Sequence, residues 1–105
     1  MAYDIKILGI AENDIDAICE YLSQFYPGTP GKFLDALDEN FENVSFNPYM
    51  YPIYEYNKDY RRIVTNDYLV FYKIDEENNL VRVYRILHGK QNIGTILEKL
   101  HEQNR

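Results

Sequence analysis

Near its start the chain alternates: in Tyr3-Asp4-Ile5-Lys6-Ile7-Leu8 every second side chain points the same way, which predicts a strand. From Ala11 the period lengthens. Ile15, Ile18, Cys19, Leu22 and Phe25 recur at helical spacing, and Glu12, Asp14 and Asp16 lie at the end where a helix dipole favours acids. Pro27-Gly28 stops this run. Thr29 as N-cap with Pro30 at the first helical position then opens a second helix with the stripe Phe33, Leu37, Phe41 and Val44, closed by Asn47-Pro48. So short a connection predicts an antiparallel helical hairpin.

Residues 47–57 are turn-rich, with Pro48, Pro52 and four tyrosines (Tyr49, Tyr51, Tyr54, Tyr56), and read as a loop with a short extended piece. Tyr60 to Thr65 is strand-like, and Asn66-Asp67 suits a tight hairpin turn. Tyr68 to Ile74 is nearly all apolar or aromatic, as a strand covered on both faces must be. After the polar turn Asp75–Asn79, Leu80 to His88 makes a third antiparallel strand. Strict alternation there puts Val81, Val83, Arg85 and Leu87 on one face, and Leu80, Arg82, Tyr84, Ile86 and His88 on the other. Beyond Gly89 a last helix is expected, capped by Asn92, with Ile93, Ile96, Leu97 and Leu100 as its stripe. The expected fold class is α+β: an N-terminal strand, an antiparallel helical hairpin packed on an antiparallel sheet meander, and a C-terminal helix. With no repeat, low-complexity tract or linker, residues 1–105 are expected to form one domain.

Hydrophobic residues make up 46% of the 105 and charged residues 27%, a globular rather than disordered balance. No apolar run approaches the length of a membrane span or a signal-peptide core, so the chain is expected to be soluble and cytoplasmic. One cysteine excludes an internal disulfide and a multi-thiolate zinc site. Charge is divided unevenly. Residues 1–55 hold two bases against ten acids, residues 56–105 nine bases against seven acids, and the total is −6. That total argues against general nucleic-acid coating, and no direct sequence-specific DNA binding by the chain alone is expected, but a local basic surface on the second half remains open.

Candidate chemistry is sparse. Gly28 and Gly31 match no phosphate-binding loop, Ser23 and Ser45 sit in helices without a neighbouring histidine, and Cys19 falls on an apolar stripe. His88 and His101 are too far apart for a helical metal pair, so no metal and no cofactor are expected. The helical carboxylates are placed on outward faces. What remains is basic: Lys58, Arg61, Arg62, Arg85, His88 and Lys90 lie on or beside two strands of the meander. There they can grip phosphates or a partner's carboxylates, pair with helix acids, or blunt a sheet edge.

Tyr60-Arg61-Arg62-Ile63-Val64, the aromatic run Tyr68 to Asp75, and Val81-Arg82-Val83-Tyr84-Arg85-Ile86-Leu87-His88-Gly89-Lys90 together resemble the RelE/ParE toxin superfamily across nearly the whole chain. The resemblance implies a toxin of a bacterial type II toxin–antitoxin module, of the kind also called plasmid stabilisation proteins, which a cognate antitoxin neutralises by wrapping around it. RelE-like members cleave messenger RNA in the ribosome, whereas ParE-like members inhibit DNA gyrase without cleavage. Under the ribonuclease reading Arg62 and Arg85 stabilise phosphate charge and His88 moves a proton; under either reading Lys58, Arg61 and Lys90 are expected to bind phosphate or a partner. Many relatives carry a second basic residue and a tyrosine where this chain has Gln91 and Ile93. These departures favour the ParE-like reading, a growth inhibitor acting on gyrase. The RelE-like endoribonuclease is the alternative, and a degenerate, non-toxic relative the second alternative.

Overall fold

The computed structural model describes residues 2–103, with side chains through Leu100. In chain order the elements are β1 (Asp4–Ile7), α1 (Gly9–Leu22), α2 (Thr29–Phe46), β2 (Arg61–Thr65), β3 (Tyr68–Asp75), β4 (Leu80–His88) and α3 (Ile93–Gln103). The strands form one sheet in the order β1-β4-β3-β2. The meander β2-β3-β4 is antiparallel, as alternation and turn residues predict, and β1 adds parallel to β4 from Asp4 opposite Leu80 to Ile7 opposite Val83. Asn66 and Asn79 adopt φ of +55° and +48° in the two hairpin turns, a left-handed conformation that asparagine tolerates well.

The sheet is covered on both faces, which explains the nearly unbroken apolar run of β3. On one face the α1–α2 hairpin buries Ile18, Phe33, Leu37 and Val44 against Val70, Tyr72, Val81 and Val83, with Ile15, Leu22 and Phe41 packed at the margin. On the other, Ile93, Leu97 and Leu100 of α3 pack with Tyr54 and Tyr60 over Phe71 and Leu87. Asn92 Oδ1 accepts the Thr95 N–H at 3.4 Å, a long version of the expected cap. Loop 47–57 touches the edge of β2 through a bridge between Ile53 and Arg61.

Three details depart from the sequence pattern. First, α1 ends at Leu22, before Pro27-Gly28. The chain turns through Ser23 and Gln24, and Phe25 is 56% exposed rather than part of the buried stripe, its ring set edge-on to Tyr21 at 5.1 Å. Second, Gly28 and not Thr29 occupies the N-cap of α2, with no side-chain cap. The first intrahelical bond runs from the Lys32 N–H to the Gly28 carbonyl, which makes Thr29 the first helical residue, and Pro30 after it has no N–H to satisfy.

Third, β4 does not alternate strictly. Phe71 pairs with Arg85 but Tyr72 pairs with Val83, so Tyr84 is an extra residue, a β-bulge. Beyond it the parity inverts. Ile86 joins Val81 and Val83 in the core under the helical hairpin, while Leu87 joins Phe71 under α3.

Candidate functional site: the basic side chains of the sheet

The bulge is fastened by a residue the sequence pattern assigns to solvent. β1 stops opposite Val83, so the outer edge of β4 beyond that point has no strand beside it. Asp14 of α1 takes its place. Its Oδ2 accepts the Ile86 backbone N–H at 3.0 Å and Arg85 Nε at 2.8 Å, and its Oδ1 accepts a second Arg85 nitrogen at 2.9 Å. The side chains are 17% (Arg85) and 14% (Asp14) exposed, so the pair is close to buried and satisfied on both sides. Asp14 therefore points inward to the sheet, unlike the outward carboxylates expected on the helices. Arg85 is spent on an internal acid.

Arg62 lies opposite Phe71 on β3, and cross-strand neighbours share a face, so it lies on the α3 side. His88 lies opposite Tyr68, whose ring packs on Phe33 of the helical hairpin, so it belongs to the other side. There the imidazole meets Tyr68 edge-on at 5.3 Å, and its Nδ1 accepts the Lys90 backbone N–H at 3.1 Å. That bond leaves Nε2 as the nitrogen free to carry the proton of a neutral ring. His88 and Lys90 line a cleft of about 430 Å³ with Ala17, Tyr21, Tyr68 and Gln91. The three residues expected to cooperate on a phosphate are thus apart: Arg85 paired with Asp14, Arg62 on one face and His88 on the other.

The remaining cations gather at the opposite end of the sheet. Arg61 donates to the Tyr51 carbonyl at 2.7 Å and stacks its guanidinium over Tyr49, 5.0 Å from the ring centroid. Together with Lys58 and with Lys73, which the sequence reading passed over, it lines a hollow of about 220 Å³. Lys73 lies over the rings of Tyr60 and Tyr84 at 4.7 and 5.0 Å. A lone lysine within the aromatic run of β3 is the signal that marked it. Asp14 left no such signal, because its partner lies 71 residues away in sequence.

Arg82 pairs with Asp75 at 2.8 Å. The Asp75 carboxyl is held below the usual carboxylate range, first by Asn78 and then by Arg82. Cys19 packs against the hairpin core, and desolvation, with Asp16 nearby, raises its thiol pKa. Among the described residues no group of three or more His, Cys, Asp or Glu side chains is placed to hold a metal ion, and no helix is long and apolar enough to cross a membrane. The side chain of His101 lies outside the described residues.

Known structures share this architecture. The chromosomal ParDE system of P. aeruginosa superposes with a TM-score of 0.69 at 15% identity, covering 83% of this chain and 96% of that one. A chain of the RelBE2 toxin–antitoxin complex of Mycobacterium tuberculosis gives 0.60 at 18% identity, covering 84% and 92%. The intact E. coli RelBE complex gives 0.60 at 14% identity, covering 86% and 100%. At these identities the likeness speaks for the fold. None of the curated proteins matches the chain in sequence. The family described as ParE toxin of type II toxin-antitoxin system, parDE, matches residues 5–93, more than four-fifths of the sequence, and the chain belongs to that family.

Proposed function

We propose that this toxin is a ParE-like growth inhibitor that acts by binding a protein target, DNA gyrase, without cleaving RNA, and that a cognate antitoxin neutralises it. One observation carries the reading: Arg85 is held by Asp14 in a nearly buried bidentate pair, while Arg62 and His88 lie on opposite faces of the sheet. Cleavage by a 2′-hydroxyl needs a base, an acid for the leaving oxygen and cations at the developing charge, all within hydrogen-bond reach of one phosphate. A guanidinium whose charge is matched by a nearly buried carboxylate offers little net charge to a second anion, and a sheet stands between the other two groups. Lys58, Arg61 and Lys90 then serve as cations that bind a partner. The superposed structures, two RelBE toxin–antitoxin complexes and a ParDE toxin–antitoxin system, support an antitoxin as that partner.

The test compares two reactions with the purified chain. Inhibition of gyrase supercoiling is expected, equal in wild type and His88→Ala. In a ribosomal translation reaction, messenger RNA is expected to stay intact. Ribosome-dependent cleavage, slowed by about 10²-fold or more in His88→Ala, would overturn the reading in favour of the RelE-like mechanism.

A further inference from the structure

We infer that the hollow at the start of β2 is a docking point for a carboxylate presented by the antitoxin on a segment with apolar residues beside it. This rests on the toxin reading above and adds to it the place of contact and the chemistry that recognises it.

The hollow exists because β2 is shorter than β3. β2 begins at Arg61, opposite Tyr72, so Lys73 to Asp75 of β3 have a strand on the β4 side alone. Around this open edge Arg61 from the hairpin side and Lys73 from the α3 side line the hollow with Lys58, against a single lining acid, Asp59, in a chain whose net charge is −6. None of the three cations forms an ion pair among the described residues, where the two ion pairs present use Arg82 and Arg85. Lys73 is the most informative. It is half-buried, held by two aromatic faces, and these satisfy none of its three N–H donors. Tyr60, whose ring carries it, is 1% exposed and its hydroxyl has no partner among the described residues.

An acidic side chain fits better than a phosphate backbone. Part of the rim is apolar: Tyr49 and Ile53 line it and are about half exposed, the Tyr49 hydroxyl donating outward to Glu76. Such a rim receives aliphatic or aromatic neighbours of a buried carboxylate and excludes water from it, which strengthens the ion pair. A nucleic acid offers Tyr49 a base to stack but no aliphatic partner for Ile53. It also meets the repulsion of an acidic molecule over many charges, where one carboxylate meets only the local field.

The experiment uses the full-length toxin with the antitoxin encoded beside it, the complex being measured by titration calorimetry at two salt concentrations. Two variants are compared with wild type: Lys58→Gln, on an exposed side chain, and Lys58→Gln combined with Lys73→Met, which keeps the stem between the two tyrosines. With melting temperatures unchanged for Lys58→Gln, the double variant is expected to bind at least about tenfold more weakly and with a flatter salt dependence. Replacing an antitoxin Glu or Asp by Lys is expected to restore part of the affinity to Lys58→Glu. Equal affinity in wild type and both variants would overturn the docking point while leaving the toxin–antitoxin pair intact. Absence of any wild-type complex would overturn the toxin reading and the docking point with it. A single-stranded RNA oligonucleotide bound by wild type and lost in the double variant, with antitoxin affinity unchanged, would assign the hollow to nucleic acid instead.

Discussion

Tyr72 and Tyr60 are both buried in the sheet, yet their hydroxyls differ in what they meet. Tyr72 donates to the Pro48 carbonyl at 2.6 Å and so ties the loop after α2 to the middle of β3. Tyr60 has no partner among the described residues. Tyr72→Phe is therefore expected to cost about 0.5–1.5 kcal/mol and to leave an unpaired carbonyl, whereas Tyr60→Phe is expected to be neutral or stabilising. Urea midpoints of the two variants check this. Burial, with Tyr84 and Asp59 nearby, pushes the Tyr60 pKa up to about 12 from its ordinary value of 10.0. Above pH 10 the unfolded chain releases this proton while the folded chain keeps it, so stability falls as pH rises from about 10 towards 12. Burial acts on Tyr72 in the same direction. Tyr60→Phe should remove its share of the alkaline loss and leave stability at pH 7 no lower. The Asp14–Arg85 pair makes the opposite kind of contribution. Asp14→Ala strands a nearly buried guanidinium and the Ile86 N–H together, and with some solvent still present the expected cost is about 2–4 kcal/mol. Asp14→Asn keeps an acceptor for the backbone and should cost less, a difference that the same midpoints resolve.

Helices and strands were legible element by element, because their periods differ and their stops are chemical. The stripe Phe33, Leu37, Phe41, Val44 and the pair Asn47-Pro48 define α2 with no help from the rest of the chain. β4 was legible as a strand but not in its facing. With Val81, Val83, Tyr84, Ile86 and Leu87 all able to be buried, either parity satisfies the pattern locally. The choice is made by Asp14, which holds the bulge from another element and cannot be recognised from spacing. The same limit applied to the site: the basic residues were visible in the sequence, but which of them were already paired depended on that distant contact. The parallel pairing of β1 with β4 was also beyond local pattern, since an alternating strand of six residues names no neighbour. α3 offers a test at this scale. Leu97 is fully buried over Phe71 and Leu87, so Leu97→Ala is expected to cost about 2–5 kcal/mol. Gly94 lies in the same helix with open space where a Cβ would stand, and Gly94→Ala should stabilise by about 0.4–1 kcal/mol. Thermal melts of the two variants should move in opposite directions.

At the scale of the molecule, the acidic helical hairpin and the more basic sheet are joined by β3 and β4, which contribute to both cores. Val70, Tyr72, Val81 and Val83 face the hairpin, and Phe71 and Leu87, between them in sequence or just beyond, face α3. Neither core can be lost while these strands keep their pairing and register, because each strand has its two faces committed to different helices. The expected consequence is a single cooperative unfolding transition despite two separate apolar clusters. Tyrosine fluorescence and near-ultraviolet dichroism report packing around both, while far-ultraviolet dichroism reports the helices. The transitions from these probes should coincide, and Leu37→Ala on the hairpin side and Leu97→Ala on the α3 side should each shift all of them together. A variant in which α3 melts first, leaving the hairpin core intact, would show that the two faces are energetically separable and that the sheet alone does not couple them.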